Sequence, residues 1–224
     1  MEQQIRKSTL DFLRAIRQNN EREWFNLNRA WYEDARDNFS AFIQAVIDRT
    51  TRFEPILRGL EAKSCTYRIY RDTRFSNDKT IYKSHMGALI VRGGKQNGNR
   101  FAGYYFHLEP DGASLAGGGA YLPPMPWLSA IRTRIAEDGD QFIRIINNKA
   151  FKKCFGEIGG EKLKSPPRGF ISDNPFIELI KFKSFLASKT LSDDIVTGKE
   201  CLDQVVETFR LMKPFNDFLN SVYS

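Results

Sequence analysis

Arg68, Arg71, Arg74, Lys79 and Lys83 place five cations within sixteen residues, interleaved with the hydroxyls of Thr73, Ser76 and Thr80. A guanidinium offers planar paired donors to two phosphate oxygens, and a lysine offers a mobile point charge, so the run suits a phosphate-bearing ligand or another polyanion. Tyr67, Tyr70, Phe75 and Tyr82 add aromatic faces on which bases can stack, although rings in a globular chain more often build its core. Asp72 and Asp78 lie inside the same run, and Glu33, Asp34 and Asp37 stand upstream. With these partners the cations would fasten a long loop by internal ion pairs instead of meeting a ligand. Both arrangements are open on residue type alone.

Lys162, Lys164 and Arg168 surround Pro166-Pro167, a composition that predicts an exposed loop holding its cations apart. Beside the first run, Lys164 and Arg168 would complete a positive cleft. Gly117-Gly118-Gly119 offers backbone amides to an anion, but without the GxGxxG or GxxxxGK spacing of a phosphate loop. Of the two histidines, His107 falls in a strand-like stretch and reads as a packed or half-exposed strand residue, whereas His85 closes the basic run and is the better acid or base. Tyr82 is a candidate nucleophile among those cations. No GxSxG, HExxH or Cys/His pairing is present. Asp72 and Asp78 amid five cations make a poor metal site unless a substrate phosphate adds ligands, so neither metal nor cofactor is expected. Three function classes remain: a binder of nucleotide or nucleic acid, a phosphoester-processing enzyme, and a structural or interaction module.

Hydrophobic spacing predicts the helices and strands that carry these residues. Phe12, Leu13 and Ile16 predict a helix near 9–18, with Ser8 and Asp11 resembling a capping box at its start, and Asn20 with Glu23 marks a second start. Trp31, Ala35, Phe39, Phe42, Ile43 and Val46 predict a longer helix from Asn28 to Arg49. Extended stretches at Thr66–Tyr70, Met86–Val91, Phe101–Leu108 and Ala113–Leu115, separated by tight turns, predict an antiparallel meander. Helices are expected after Pro126, at Phe142–Ile146, Phe176–Phe182 and Cys201–Leu211, with a last strand at Phe185–Leu191. The expected class is therefore α+β, a central antiparallel sheet packed by N-terminal and C-terminal helices, in a single domain over 1–224.

Composition bounds the setting. Residues 61–100 hold nine basic and three acidic groups and 141–190 hold ten and four, so two segments of +6 exceed the net charge of +7. No apolar run is long enough to span a membrane and Met1–Asp11 lacks a signal-like stretch. Cys65, Cys154 and Cys201 share no disulfide or zinc spacing. A cytoplasmic protein with reduced thiols and no membrane partner is expected. Composition and spacing leave its oligomeric state open.

The run from Arg68 to His85, RIYRDTRFSNDKTIYKSH, resembles the signature of a bacterial and fungal family catalogued as a domain of unknown function. Further matches are Asn20–Phe25, Gly103-Tyr104-Tyr105, Gly117–Gly119, Leu163–Phe170 and Pro214–Leu219, so the resemblance runs the length of the chain. It implies an α+β fold of this size and brings no settled activity, cofactor or catalytic residue. Ile81 departs from it, because the family usually carries proline there, which predicts a less rigid loop.

Overall fold

The computed structural model describes residues 4–72 and 80–223. Helix α1 (Lys7–Gln18) buries Leu10, Phe12, Leu13 and Ile16 on the face that their spacing predicts. Ser8 does not cap it. Arg6 holds the N-cap position without a side-chain bond, and the Ser8 carbonyl accepts from Trp31 Nε1 at 3.1 Å. Helix α2 (Arg22–Leu27) starts behind Glu21 and not Asn20, whose side chain is engaged elsewhere. Helix α3 (Arg29–Thr50) buries Ala35, Phe39, Phe42, Ile43 and Val46.

Helix α4 (Ala62–Cys65) leads into the stretch expected as the first strand. Thr66–Tyr70 is not a regular strand: Thr66 bridges Ala88 and Tyr70 bridges Tyr82, both antiparallel. In an unbroken ladder Tyr70 would face Ser84, so two extra residues on the 82–88 side interrupt the pairing. The stretch is nonetheless fastened along the sheet edge. Tyr67 N donates to Gly87 O at 2.9 Å, Lys83 N to Ile69 O at 2.8 Å and Arg71 N to Ile81 O at 2.9 Å.

The sheet comprises β1 (Met86–Ile90), β2 (Gly103–Leu108), β3 (Ser114–Ala120) and β4 (Phe185–Leu191), in the order β1-β2-β3-β4 and antiparallel throughout. The expected short strand at Ala113–Leu115 continues through the three glycines, and the fourth strand comes from 185–191 instead of 66–70. The turn at 110–112 uses left-handed backbone at Asp111 (φ 67°) and Gly112 (φ 75°).

Alternation along β2 defines two faces. Tyr104, Phe106 and Leu108 are buried on one, while Tyr105 and His107 are half-buried on the other. The buried face receives α3, with Phe39 and Phe42 ring centroids 6.1 and 5.2 Å from Phe106. Helix α5 (Met125–Ile146) follows Pro123-Pro124 and absorbs the helix expected at Phe142–Ile146 after a kink at Asp138 (φ −141°, ψ 47°). Asn148 caps α6 (Lys149–Phe155), α7 (Ile177–Ile180) is a single turn, and Ser192 caps α8 (Asp193–Thr197). Helix α9 (Cys201–Asn220) passes the expected end at Leu211 and continues through Pro214, held by buried Met212, Phe215, Phe218 and Leu219. Its Phe209 ring lies 4.9 Å from Tyr104 on the buried sheet face. The buried apolar side chains of the N-terminal helices, the sheet and the C-terminal helices form one continuous cluster, giving the α+β architecture expected. No helix among the described residues is long and apolar enough to cross a membrane.

Candidate functional site

The basic run is anchored at its C-terminal end by a residue from the far side of the sequence. Asn20 Oδ1 accepts from the backbone of Ile81 at 2.8 Å and of Tyr82 at 2.9 Å, and its Nδ2 donates to Tyr82 O at 2.9 Å. One side-chain amide thus satisfies three backbone groups where the ladder is broken. Ile81 supplies a donor that the proline usual at this position lacks. Tyr82 is only 3% exposed and its ring stacks on Phe25 at 4.2 Å and 15°. Burial and the neighbouring Tyr70 raise its pKa and keep the phenol protonated. The structure therefore makes Tyr82 a packing residue, out of reach of an approaching phosphate.

The cations gather on the interrupted ladder. Lys83 Nζ donates to Arg68 O at 3.0 Å and lies 5.6 Å from the Tyr67 ring centroid. Burial, then Arg68, then Arg71 lower the Lys83 pKa, so three positive groups share one field. Neither Arg68 nor Lys83 forms an ion pair among the described residues. Asp34 and Asp37, weighed above as scaffold partners, hold Arg6 and Arg36 instead, each at 2.8 Å. Tyr67 and Tyr70 flank the cluster and are each 42% exposed, unlike Tyr82. Arg74 and Lys79, with Thr73, Phe75, Ser76 and Asp78, lie outside the described residues. Between α3 and this segment a cleft of about 360 Å³ is lined by Tyr32, Arg36, Lys63, Tyr67, Arg68 and His85 among others.

His85 brings the run onto the open face of the sheet. Gly87 pairs with His107 in the β1–β2 ladder, so His85, two residues earlier, shares that face with Tyr105, His107 and Glu109. The His85 and His107 ring centroids are 4.5 Å apart. A chain of contacts runs from Tyr105 Oη to His107 Nδ1 (3.0 Å), from His107 Nε2 to Glu109 Oε2 (2.8 Å) and from Arg17 Nη2 to Glu109 Oε1 (3.1 Å). Burial, His107, Lys83 and Arg71 push the His85 pKa down to about 4 against the pull of Glu109, leaving a neutral imidazole at physiological pH. Ligand atoms of His85, His107 and Glu109 all lie within 4.8 Å of one another, the cluster among the described residues able to hold a metal ion. His107 is the half-buried strand residue its sequence suggests, and its contacts also make it a member of this cluster. The signal that could have found it is the spacing Tyr105-x-His107-x-Glu109, which aims three polar side chains from one face of a strand.

The match that places the chain covers the whole of this geometry: the model of the family described as conserved hypothetical protein (DUF2461) matches residues 8–218. The chain belongs to the DUF2461 family. No curated protein and no solved structure matches it. In this DUF2461 chain the recognisable run therefore ends on a three-residue polar cluster at the sheet surface.

The remaining candidates fall elsewhere. The segment before Lys164 and Arg168 flanks the opposite edge of the sheet, where Gly159 bridges Leu186 and Lys162 bridges Phe182. Five strand spacings of about 4.8 Å put roughly 24 Å between the two edge segments. The structure does not bring Lys164 and Arg168 to Arg68, Arg71 and Lys83 in one cleft. Gly117–Gly119 sits between β2 and β4 with pairing on both sides, so its backbone serves the sheet. A larger cavity of about 690 Å³ lies between α5 and α9, but two of its arginines are already paired, Arg134 with Asp138 and Arg210 with Glu207.

Proposed function

We propose that this protein binds a phosphate-bearing ligand, a nucleotide or a nucleic acid, through Arg68, Arg71 and Lys83, with Arg74 and Lys79 of the same run as further cations. One observation carries the reading. Arg68 and Lys83 stand without carboxylate partners among the described residues, in a field of like charge that an anion would relieve, beside two half-exposed tyrosines. Ion pairing that served only to fasten the loop would have brought carboxylates to these two groups, and Asp34 and Asp37 are engaged elsewhere. A cytoplasmic setting belongs to the same reading, since Cys65, Cys154 and Cys201 all carry free thiols. Fluorescence anisotropy at low salt with labelled single-stranded DNA, RNA, duplex DNA and a nucleotide tests it. Binding of at least one probe, weakened in Arg68→Ala, is expected. Failure of every probe to bind would falsify it.

The position of His85, His107 and Glu109 beside the cations favours a second reading, phosphoester processing. His85 presents a neutral imidazole lone pair at this position, although burial and the neighbouring cations weaken it as a base, and those cations can stabilise developing negative charge. A screen of phosphoesters with and without manganese separates this from binding alone. Turnover lost in His85→Ala supports the enzyme, and turnover unchanged in that variant removes His85 from the chemistry.

A further inference from the structure

Two imidazoles and one carboxylate converge on the open face of the sheet from positions that the backbone fixes. His107 and Glu109 stand two residues apart at the end of β2, and His85 immediately precedes β1, beside the Met86–Leu108 pair. Their nearest ligand atoms fall within 4.8 Å of one another, a separation that modest side-chain rotations close to the ~3 to 3.5 Å expected between ligands about 2.1 Å from a common ion.

We propose that His85, His107 and Glu109 bind one divalent transition-metal ion, independently of whether the neighbouring cations bind phosphate. The donor set is two borderline imidazole nitrogens and one hard carboxylate oxygen, which suits zinc, manganese, iron or cobalt and leaves at least one position open. The surroundings supply the outer partners such a site requires. Tyr105 Oη lies 3.0 Å from His107 Nδ1, so with the proton on Nδ1 the hydroxyl oxygen accepts it and Nε2 presents its lone pair. The hydroxyl sits where only a glycine leaves room, because a Cβ on Gly87 would lie 2.6 Å from it. On the other side Arg17 holds Glu109 Oε1 at 3.1 Å and leaves Oε2 directed at His107. Binding exchanges the present His107–Glu109 contact for two bonds to the ion. Arg17, Arg71 and Lys83 oppose a second dication, so one ion binds.

The chain holds only two histidines, which makes the test direct. Tag-free full-length protein, stripped with chelator, is titrated with zinc by calorimetry while two-dimensional NMR follows both imidazoles. One equivalent of zinc is expected, with the resonances of both rings moving together. His107→Ala should weaken binding by far more than tenfold, and Tyr105→Phe by about tenfold. Should His107→Ala fail to fold, the wild-type spectra still decide the matter. No saturable binding, binding that leaves either imidazole unmoved, or undiminished affinity in a folded His107→Ala protein overturns the site. Anisotropy of the phosphate probes on the chelated protein is read separately, so loss of one property does not count against the other.

Discussion

At the residue scale, Asn20 shows how one side chain can hold a functional segment in place. It satisfies the N–H groups of Ile81 and Tyr82 and the carbonyl of Tyr82 at the point where the ladder to Thr66–Tyr70 has been interrupted. Asn20→Ala leaves those half-buried groups without protein partners, for which a loss of about 1–3 kcal/mol in urea unfolding is expected. Asn20→Asp retains an acceptor for both N–H groups and should lose less. A loss within error for Asn20→Ala would show that water replaces the amide at no cost. Asn20 was legible only as a helix start, because Asn three residues before Glu is the local signature of a cap. A bond spanning sixty-two residues has no local signature. His85 was legible because it closes the basic run. His107 was not, since strand position alone does not distinguish a packed imidazole from one aimed at a partner.

At the element scale, the helices with long periodic faces, α1 and α3, fall close to their predicted bounds, because burial of one face decides both their existence and their length. The Thr66–Tyr70 stretch has the composition of a strand and lacks the ladder, since two extra residues between Lys83 and Gly87 lie on the partner side, which composition does not report. The glycines of β3 failed in the opposite direction. On composition the three glycines offer amides to an anion, yet here they admit close backbone approach between β2 and β4. A Cβ on Gly118 would lie 2.1 Å from Gly103 O, and Gly119 takes a φ of 120°. Gly118→Ala should therefore lower the melting temperature sharply or yield insoluble protein, while Gly112→Ser, at a turn with nothing within 4 Å of its Cβ, should cost only its backbone strain. Equal melting of the two variants would contradict this account of β3.

At the scale of the whole molecule, the two basic segments that the charge pattern reveals are separated by the width of the sheet. Charge along a sequence says how much positive field a chain can concentrate, and topology decides where. The +6 of residues 61–100 includes the segment along β1 and the +6 of residues 141–190 the segment that flanks β4, and Arg168 lines a hollow with Ser129, Thr133 and Glu137 of α5 instead of the cleft beside Arg68. This separation provides the internal control for the proposed function. The decisive measurement is the salt dependence of single-stranded probe binding for three proteins: the wild type, Arg68→Ala/Lys83→Ala and Lys164→Ala/Arg168→Ala. Each phosphate neutralised contributes about 0.7 to the slope of log affinity against log salt on a single strand, so loss of two contacts should flatten the slope by about 1.4 and weaken binding at every salt concentration. The variant at the opposite edge should retain the wild-type slope. Equal flattening in both variants, or a wild-type slope preserved in Arg68→Ala/Lys83→Ala, would contradict a phosphate site at the β1 edge.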